Sequence, residues 1–371
     1  MKKLKIGAIG CGYWGPNLIR NFIEIPSTEL YAVADLDEVR LSHIKERYPQ
    51  IKCLTKDYHE FFHMDLDAVV ISTPPQTHFA IARDCIENGL HVLVEKPLTI
   101  KSDDARRLIQ LAQGHDRVLM VGHTFEYNPA VRALRKMVDS GELGEVYYID
   151  AVRASLGLFH PTLNVVWDLA PHDISILIHL LGAAPYSVTT EGTACVQHSV
   201  EDVAYMTLMF PNNVLAHIRM SWLDPCKTRR ITLVGSEKMV VYNDVANQEK
   251  IKVYDKRVKA IRHTDTFDEF HFSYHYGNVV SPFIHLEEPL RVECLHFLEC
   301  ILENKTPLSD GYNGLRVVEI IEAAQRSLKN GGVQERITFS HAPGVNGASH
   351  RKLELAHKNG PSTSMQVPPA G

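Results

Sequence analysis

The sequence predicts an α/β protein of two domains, a doubly wound parallel sheet followed by an α+β domain with an open, mainly antiparallel sheet. Three observations support this fold class. A glycine-rich turn joins an apolar segment to a helix near the start of the chain. Apolar, β-prone segments then alternate with helical periodicities as far as residue 122. Beyond residue 145 the β-prone segments follow one another across short polar turns, which is typical of antiparallel hairpins.

The glycine-rich turn comes directly after the first predicted strand, residues 4–9. Gly10, Gly12 and Gly15 have the spacing Gly-x-Gly-x-x-Gly, a helical periodicity follows, and a second apolar segment ends at Asp35, twenty residues after Gly15. This strand–turn–helix–strand unit with a downstream acid predicts a Rossmann domain that binds a dinucleotide. Gly10 would form the tight turn, Gly12 would let a pyrophosphate approach the backbone, and Gly15 would let the helix pack closely on the sheet.

The acid at the end of the second strand favours NAD as the cofactor. Asp35 would accept hydrogen bonds from ribose hydroxyls and repel the 2′-phosphate of NADP. Arg40, about one helical turn further along, would offset part of that repulsion, so NADP is not excluded. Tyr13 and Trp14, inside the glycine-rich turn, are further expected cofactor contacts.

The rest of the first domain alternates helices and strands. Helices are predicted over residues 38–48, 57–63, from the loop at 73–78 to residue 88, and 102–113; strands are predicted over 51–54, 67–72, 90–94 and 117–121. Ligands of doubly wound sheets bind beyond the carboxyl ends of the strands, where the loops converge. That edge is expected to bring together Thr73, Pro74, His78, Glu95 and Lys96.

Lys96 follows a buried strand and lies between Glu95 and Pro97. The residues alone leave two interpretations open. Lys96 is either a functional lysine at the site or one half of a structural ion pair with Glu95 or a neighbouring acid.

The second domain is predicted to contain a helix with a polar stripe. The helix covers residues 169–181, with Asp168 as its N-cap and Pro171 in its first turn. Asp168, His172, Ser175 and His179 recur on one face, and such a stripe in an apolar helix needs partners or a cavity. Alternatively, Asp168 is only a cap and His172 is a hydrogen-bonded core histidine. Strands are predicted over residues 146–154, 204–210, 214–222, 230–234, 239–242 and 251–254, and further helices over 129–138, 290–302 and 312–327.

Three ranges divide the chain: a dinucleotide-binding domain over residues 1–122, a substrate-binding and oligomerisation domain over 123–340, and a tail over 341–371. The tail is rich in Gly, Ser, Pro and Asn and is predicted to be disordered. Residues 257–290 show no clear period and predict an irregular excursion, either a lid or an oligomer contact.

Composition excludes several classes of protein. A net charge of −5 argues against a general nucleic-acid binder, and the chain has no apolar segment of the length that spans a membrane. The N-terminus passes directly into the first strand, which leaves no room for a signal peptide. Seven scattered cysteines, with no Cys-x-x-Cys pair, predict free thiols in the cytoplasm and no metal site.

Several motifs together resemble one family, the glucose–fructose oxidoreductase, inositol dehydrogenase and MocA-type (Gfo/Idh/MocA) oxidoreductases. The resemblance rests on the glycine-rich turn, on Ser72-Thr73-Pro74-Pro75-x-x-His78, on Glu95-Lys96-Pro97, on Asp168-x-x-x-His172 and on Asp310-Gly311-x-x-Gly314. It extends over roughly residues 4–340. The family implies a nicotinamide domain followed by an α/β domain whose open sheet often forms an oligomer interface, here a homodimer or homotetramer.

The resemblance implies that Lys96, Asp168 and His172 are catalytic. Hydride would move between nicotinamide and a secondary carbinol carbon of a sugar or polyol. In one assignment His172 is the base, Asp168 orients it and Lys96 polarises the oxygen; in the other, Lys96 is the acid/base. Weaker candidates for substrate contact are Tyr127, Asn128, Arg153 and Trp167.

The resemblance also narrows the substrate. The chain looks most like the branch that acts on nucleotide-linked sugars, as a 3-dehydrogenase or 3-ketoreductase. A free polyol such as inositol is the alternative within the same chemistry. A dinucleotide-binding sensor without catalysis is the alternative from another class.

Overall fold

Two β-sheets, one parallel and one mixed, organise the protein. The computed structural model describes residues 3–262 and 270–339, without the side chains of residues 260–262, 270 and 271. The described residues as far as Ile337 belong to one compact unit. The predicted tail, residues 341–371, lies outside the described residues. No helix in the described part of the chain is long and apolar enough to cross a membrane.

The first sheet is parallel and has the strand order β3-β2-β1-β4-β5-β6. Its strands are β1 (Leu4–Ile9), β2 (Thr28–Ala34), β3 (Cys53–Thr55), β4 (Ala68–Ile71), β5 (His91–Glu95) and β6 (Leu119–Gly122), and its helices are α1 (Gly15–Glu24), α2 (Glu38–Arg47), α3 (Pro75–Glu87) and α4 (Ser102–Gly114). The predicted doubly wound sheet is confirmed. The strand order reverses between β1 and β4, and the crevice at such a reversal is where ligands bind.

The second sheet has nine strands in the order β14-β13-β12-β11-β7-β10-β9-β8-β15. The strands are β7 (Val146–Ala154), β8 (Ser187–Thr193), β9 (Val203–Met209), β10 (Leu215–Ser221), β11 (Thr228–Gly235), β12 (Met239–Asn243), β13 (Ile251–Arg262), β14 (Phe270–Val280) and β15 (Glu335–Arg336). Strands β7 and β10 are parallel, and the other neighbours are antiparallel. The predicted mainly antiparallel sheet is therefore confirmed.

The irregular excursion predicted for residues 257–290 is wrong for residues 257–262 and 270–280. Strands β13 and β14 form a long antiparallel hairpin there. Phe272, Tyr274 and Tyr276 occupy alternate positions of β14, yet they are exposed, as are most of their neighbours. The alternation of these aromatic residues with Ser273 and His275 is the period of two that is typical of a strand, although the three aromatic side chains are exposed.

The four remaining helices are α5 (Pro129–Asp139), α6 (Val165–Leu181), α7 (Pro289–Glu303) and α8 (Gly311–Lys329). The predicted N-cap of α6 is wrong, because the helix begins three residues before Asp168. Asn164 caps it by accepting a hydrogen bond from the backbone N–H of Trp167, at 3.3 Å. Asp168 therefore lies inside the first turn, where its side chain is free for other partners, and Pro171 lies inside the helix.

Helix α7 packs against the first sheet although it comes late in the chain. Leu290, Cys294 and Phe297 belong to the same core cluster as Ile6 and Leu18. One consequence is that an acidic residue of α7, Glu293, is buried next to the loop that follows β6: its carboxylate accepts a hydrogen bond from Thr124 Oγ1 at 2.8 Å.

Candidate functional site

A continuous cleft of about 1990 Å³ runs from the glycine-rich turn to helix α6. Ordinary small-molecule pockets reach roughly 1,000 Å³, so this cleft has room for a dinucleotide and a second ligand. Most of the residues predicted for the cofactor line it, namely Gly10, Gly12, Tyr13, Trp14, Asp35, Thr73, Pro74, Glu95 and Lys96. Within residues 3–262 and 270–339, no three His, Cys, Asp or Glu side chains are arranged to hold a metal ion.

The glycine-rich turn has the geometry that a dinucleotide requires. Gly10 has φ of 99°, a conformation that favours glycine. A Cβ atom on Gly15 would lie 2.1 Å from the Gly10 carbonyl oxygen, so this glycine is required for close packing. At Gly12 the nearest atom to a Cβ would be Arg40 Nη1, at 3.6 Å, which leaves the backbone accessible from the cleft. Helix α1 begins at Gly15, and its free N–H groups suit a diphosphate.

Asp35 closes the turn from the end of β2. Its Oδ2 accepts the backbone N–H of Cys11 at 2.5 Å, and its Oδ1 accepts that of Asp37 at 2.9 Å. The Arg40 guanidinium lies 3.8 Å from the same carboxylate. The residues present would therefore fit a dinucleotide, and Asp35 and Arg40 would lie at the end that holds its adenosine ribose.

His78 has a structural position outside the cleft lining. Its ring is fully buried, and its two nitrogens lie 2.9 Å from the Pro97 carbonyl oxygen and 2.8 Å from that of Thr73. Burial lowers the pKa of this ring. His78 thus holds the loops after β4 and β5 together. The expectation of a direct cofactor contact is wrong, because both nitrogens face backbone carbonyl groups.

Lys96 and Asp168 meet at the far end of the cleft. Lys96 Nζ donates to the backbone carbonyl of Asp168 at 2.8 Å and lies 3.5 Å from its Oδ1. The other carboxylate oxygen, Oδ2, accepts the indole N–H of Trp222 at 3.0 Å. The ion-pair interpretation of Lys96 holds in part, but the partner is Asp168 of the second domain, and both residues line the cleft.

His172 lies one turn further along α6 and also lines the cleft. Its Nδ1 is buried and has no hydrogen-bond partner among the described residues. Its ring meets Phe125 edge-on, with centroids 5.2 Å apart. Burial, followed by the positive charges of Lys96, Arg153 and Arg229, lowers the pKa of His172 well below 6.5. At neutral pH the ring is therefore uncharged and has a nitrogen lone pair that can accept a hydrogen bond.

The described hydrogen bonds of the Asp168 carboxylate lead to Lys96 and Trp222, not to His172. One of the expected roles of Asp168 was to orient His172, but no hydrogen bond between these two side chains is found among the described residues. Packing on Phe125 supplies the observed constraint on the ring.

Three buried ionisable side chains, Glu95, Glu293 and His123, lie close to Lys96 or to one another. Burial raises the pKa of Glu95 to about 7, although Lys96 and a hydrogen bond from the Trp14 side chain act in the opposite direction. Burial also raises the pKa of Glu293, and the neighbouring Glu95 adds to this effect. Both ring nitrogens of His123 are buried without a hydrogen-bond partner in the described part of the chain.

The weaker substrate candidates have different positions. Trp167, Asn128 and Arg153 line the cleft. Asn128 also caps α5, since its Oδ1 accepts the Ala130 N–H at 2.9 Å, and Arg153 is committed to a buried ion pair with Asp173. Tyr127 is fully buried and its hydroxyl lies 2.9 Å from Ser309 Oγ, away from the cleft, so the expected substrate contact is wrong.

Sequence reasoning missed Trp222, Lys227, Arg229 and Lys250, which also line the cleft. They come from the second sheet and the loops beside it. No local motif marks them, because each reaches the cleft only through the pairing of strands that are distant in the sequence.

Two protein-family models match the chain. "Oxidoreductase family, NAD-binding Rossmann fold" matches residues 4–123, and "GFO/IDH/MocA C-terminal domain" matches residues 131–241. UDP-N-acetylglucosamine 3-dehydrogenase of Acidithiobacillus ferrooxidans is 31% identical over 237 residues, which cover 62% of this chain and 72% of that protein. The scyllo-inositol 2-dehydrogenase (NAD(+)) of Bacillus subtilis is 23% identical over 89% of this chain and 95% of that protein.

Among solved structures, a probable dehydrogenase from Thermotoga maritima has the same fold. The TM-score is 0.74 at 21% identity, and the alignment covers 90% of this chain and 98% of that one. The matched regions contain the glycine-rich turn, Lys96, Asp168 and His172. The chain therefore belongs to the GFO/IDH/MocA family of NAD-dependent oxidoreductases that act on sugars and polyols.

Proposed function

We propose that the protein transfers hydride between NAD and a secondary carbinol of a nucleotide-linked sugar, as a 3-dehydrogenase or 3-ketoreductase. One observation carries the proposal: Lys96 Nζ, anchored on Asp168, and the uncharged ring of His172 line the same cleft as the glycine-rich turn. NAD, when bound, supplies the hydride acceptor. The chain's own residues bind it, orient the sugar and move the proton.

His172 accepts the hydroxyl proton of the carbinol during oxidation. An uncharged imidazole in a largely enclosed position can act as a general base. The Lys96 ammonium donates a hydrogen bond to the same oxygen and stabilises the negative charge that develops there. In the alternative assignment, Lys96 itself takes the proton and His172 positions the hydroxyl.

NAD is the proposed cofactor in preference to NADP. The Asp35 carboxylate lies where the ribose 2′ position is expected, and a 2′-phosphate there would be repelled. Arg40 contributes one positive charge 3.8 Å from Asp35. This charge reduces the repulsion of a 2′-phosphate, but the carboxylate still favours the ribose hydroxyls of NAD over the 2′-phosphate of NADP.

The size of the cleft and a relative's activity support a nucleotide-linked sugar. The volume of about 1990 Å³ exceeds that of an ordinary small-molecule pocket. The relative of 31% identity is a UDP-N-acetylglucosamine 3-dehydrogenase. A free polyol is the second candidate, because the scyllo-inositol dehydrogenase matches over 89% of this chain.

The test is a substrate panel. Purified protein is incubated with NAD and, separately, UDP-N-acetylglucosamine, other UDP- and dTDP-sugars, free N-acetylglucosamine, myo-inositol and scyllo-inositol, while the absorbance of reduced nicotinamide is followed. We expect reduction of NAD with a nucleotide-linked sugar and a much lower kcat/KM with the free sugar. Turnover of inositols alone would support the second candidate. No turnover, with NAD binding retained in calorimetry, would indicate a dinucleotide-binding sensor.

The proposal includes a homodimer or homotetramer formed through the second sheet. Phe272, Tyr274 and Tyr276 expose between 57% and 73% of their surface along one side of β14, and an aromatic surface of this kind suits contact with a second copy. Light scattering should show a monomer for the Tyr274→Glu, Tyr276→Glu double variant. Leu302→Glu, at an exposed position of α7, serves as the control. A wild-type monomer would refute the assembly.

A further inference from the structure

The wall of the cleft opposite the glycine-rich turn carries several positive charges. Lys227 directly precedes β11, Arg229 is the second residue of that strand, and Lys250 directly precedes β13. Only one acidic residue from this part of the sheet, Asp244 at the end of β12, is among the described residues that line the cleft. We refer to Lys227, Arg229 and Lys250 as the cationic wall.

Asp244 is shared between two members of the cationic wall. Its Oδ2 lies 3.5 Å from Arg229 Nη1, its Oδ1 lies 4.0 Å from Lys250 Nζ, and its backbone carbonyl accepts from Lys250 at 2.7 Å. The carboxylate also accepts the Tyr242 hydroxyl at 2.8 Å. One carboxylate therefore holds two cations in place without neutralising both, and Lys227 adds a third positive charge.

Six other acidic residues among the described ones line the cleft, namely Asp35, Asp37, Glu95, Asp168, Glu287 and Glu288, and none of them belongs to the second sheet. Asp168 pairs with Lys96, Glu288 pairs with Arg20 on α1, and Asp35 closes the glycine-rich turn. Arg153, which lies beside the wall, has its own buried partner in Asp173. The cationic wall is thus left with a surplus of positive charge that faces the cleft.

The wall lies close enough to the reacting groups to contact the same ligand. The Arg229 guanidinium is 5.9 Å from the centre of the Phe125 ring, and that ring contacts His172 edge-on. Because His172 and Arg229 line one cleft, a ligand bound at His172 has Arg229 within reach of another of its groups. Arginine and lysine at such a position favour phosphate or carboxylate oxygens.

We propose that the cationic wall binds an anionic group of the sugar substrate, a function that nothing in the family assignment gives to these three residues. This inference rests on the proposed function and deepens it, because it names the charge of the substrate and the residues that select it. The anionic group is either the diphosphate of a nucleotide-linked sugar or a carboxylate on the sugar ring. A surplus of two positive charges matches a diphosphate better.

Binding is measured by calorimetry with NAD at saturation, so that the dinucleotide half of the cleft is filled. The probes are UDP, galacturonate and the neutral N-acetylglucosamine. The variants are Arg229→Gln, Lys250→Gln and Lys227→Gln. Lys252→Gln is the matched control, because Lys252 pairs with Glu249 and is not among the residues that line the cleft.

We expect UDP to bind the wild type, and Arg229→Gln to weaken that binding about tenfold, since a hydrogen bond between charged groups is lost. Lys250→Gln should weaken it to a similar extent, Lys227→Gln less, and Lys252→Gln not at all. Raising the salt concentration should weaken UDP binding more in the wild type than in Arg229→Gln. If galacturonate binds the wild type and UDP does not, and if the same variants weaken the binding of galacturonate, the anionic group is the carboxylate.

Wild-type binding of neither anion, or equal binding by the wild type and all three variants, would overturn the inference. Since Lys227 is exposed, its variant keeps the test valid if Arg229→Gln fails to fold. The binding assay needs no turnover. A protein that binds UDP through the wall but oxidises no sugar would refute the proposed function and leave the anion site standing.

Discussion

Trp222 donates its indole N–H to Asp168 Oδ2 at 3.0 Å, while Lys96 Nζ lies 3.5 Å from the other carboxylate oxygen. Trp222 is fully buried, and a Cβ on Gly157 would lie 2.9 Å from its ring. The burial of the indole limits its movement, and the carboxylate cannot rotate without losing a partner. We infer that Trp222 positions Asp168, which in turn fixes the Lys96 ammonium at the end of the cleft.

Trp222→Phe should lower kcat roughly 10- to 100-fold with little change in NAD binding. The substitution keeps an aromatic side chain but removes the donor to Asp168, so Lys96 loses its fixed partner geometry. Steady-state kinetics and calorimetry with NAD measure the two effects. Phe159→Leu is the control, because it removes the ring that packs on Trp222 at 5.5 Å and leaves the hydrogen bond in place. An unchanged kcat in Trp222→Phe would contradict the positioning role.

Lys96→Ala should abolish turnover while NAD still binds. In the proposed mechanism the ammonium donates a hydrogen bond to the carbinol oxygen, and one such donor contributes on the order of 10²- to 10³-fold to the rate. Turnover is measured with the best substrate of the panel, and NAD binding by calorimetry. Lys45→Ala, an exposed position on α2, should retain full activity. Full activity in Lys96→Ala would refute the proposed mechanism.

The pH dependence of oxidation should separate the two proton-transfer assignments. The pKa of His172 is lowered well below 6.5 by burial and neighbouring positive charges. Because a base acts only when it is deprotonated, kcat/KM should fall on the acid side only below pH 6.5 and stay level from there through neutral pH. His172→Asn should remove most of the activity. An acid limb centred above neutral pH would instead assign the proton transfer to another group, with Lys96 the first candidate.

Asp35→Asn should shift the cofactor preference toward NADP. The neutral side chain no longer repels a 2′-phosphate, and Arg40 remains close by to attract it. Repulsion between nearby charges at a partly exposed site is worth about 1 to 4 kcal/mol. The kcat/KM for NAD divided by the kcat/KM for NADP should therefore fall by about tenfold or more. The ratio is measured with one substrate and both cofactors. A wild-type preference for NADP would show that the role of Asp35 was misjudged.

The first domain could be predicted from the sequence because its signals are local. Gly10, Gly12, Gly15 and Asp35 lie within one strand–helix–strand unit, and each has a steric or hydrogen-bonding reason visible in its neighbours. The meeting of the loops after β4 and β5 followed from a general rule of parallel sheets, that ligand-binding loops converge at the carboxyl ends of the strands. His78 was assigned to the correct edge, but its burial between two carbonyl groups depends on tertiary packing.

The second half of the site could be predicted only in part. Asp168 and His172 were identified by their spacing on one helix, but Trp222 lies 54 residues from Asp168, and only the pairing of β10 with β7 and β9 brings it there. The helix starts at Val165, earlier than predicted, because Asn164 performs the capping role that the sequence pattern assigns to Asp168. Strand β14 differs from the prediction although Phe272, Tyr274 and Tyr276 alternate with polar residues, and this alternation is the signal that identifies the strand.

Asp173→Asn should lower the free energy of unfolding by about 3 kcal/mol or more. Arg153 Nε and Nη2 lie 2.7 and 3.0 Å from the two Asp173 oxygens, and both side chains are almost completely buried. Removing one partner leaves a buried charge uncompensated, which is costly even where the intact pair contributes little. Urea unfolding measures the change. Asp139→Asn, which breaks a more exposed pair with Arg135, should cost less than about 1 kcal/mol. Equal effects of the two substitutions would mean that other groups compensate the Arg153 charge when the Asp173 carboxylate is absent.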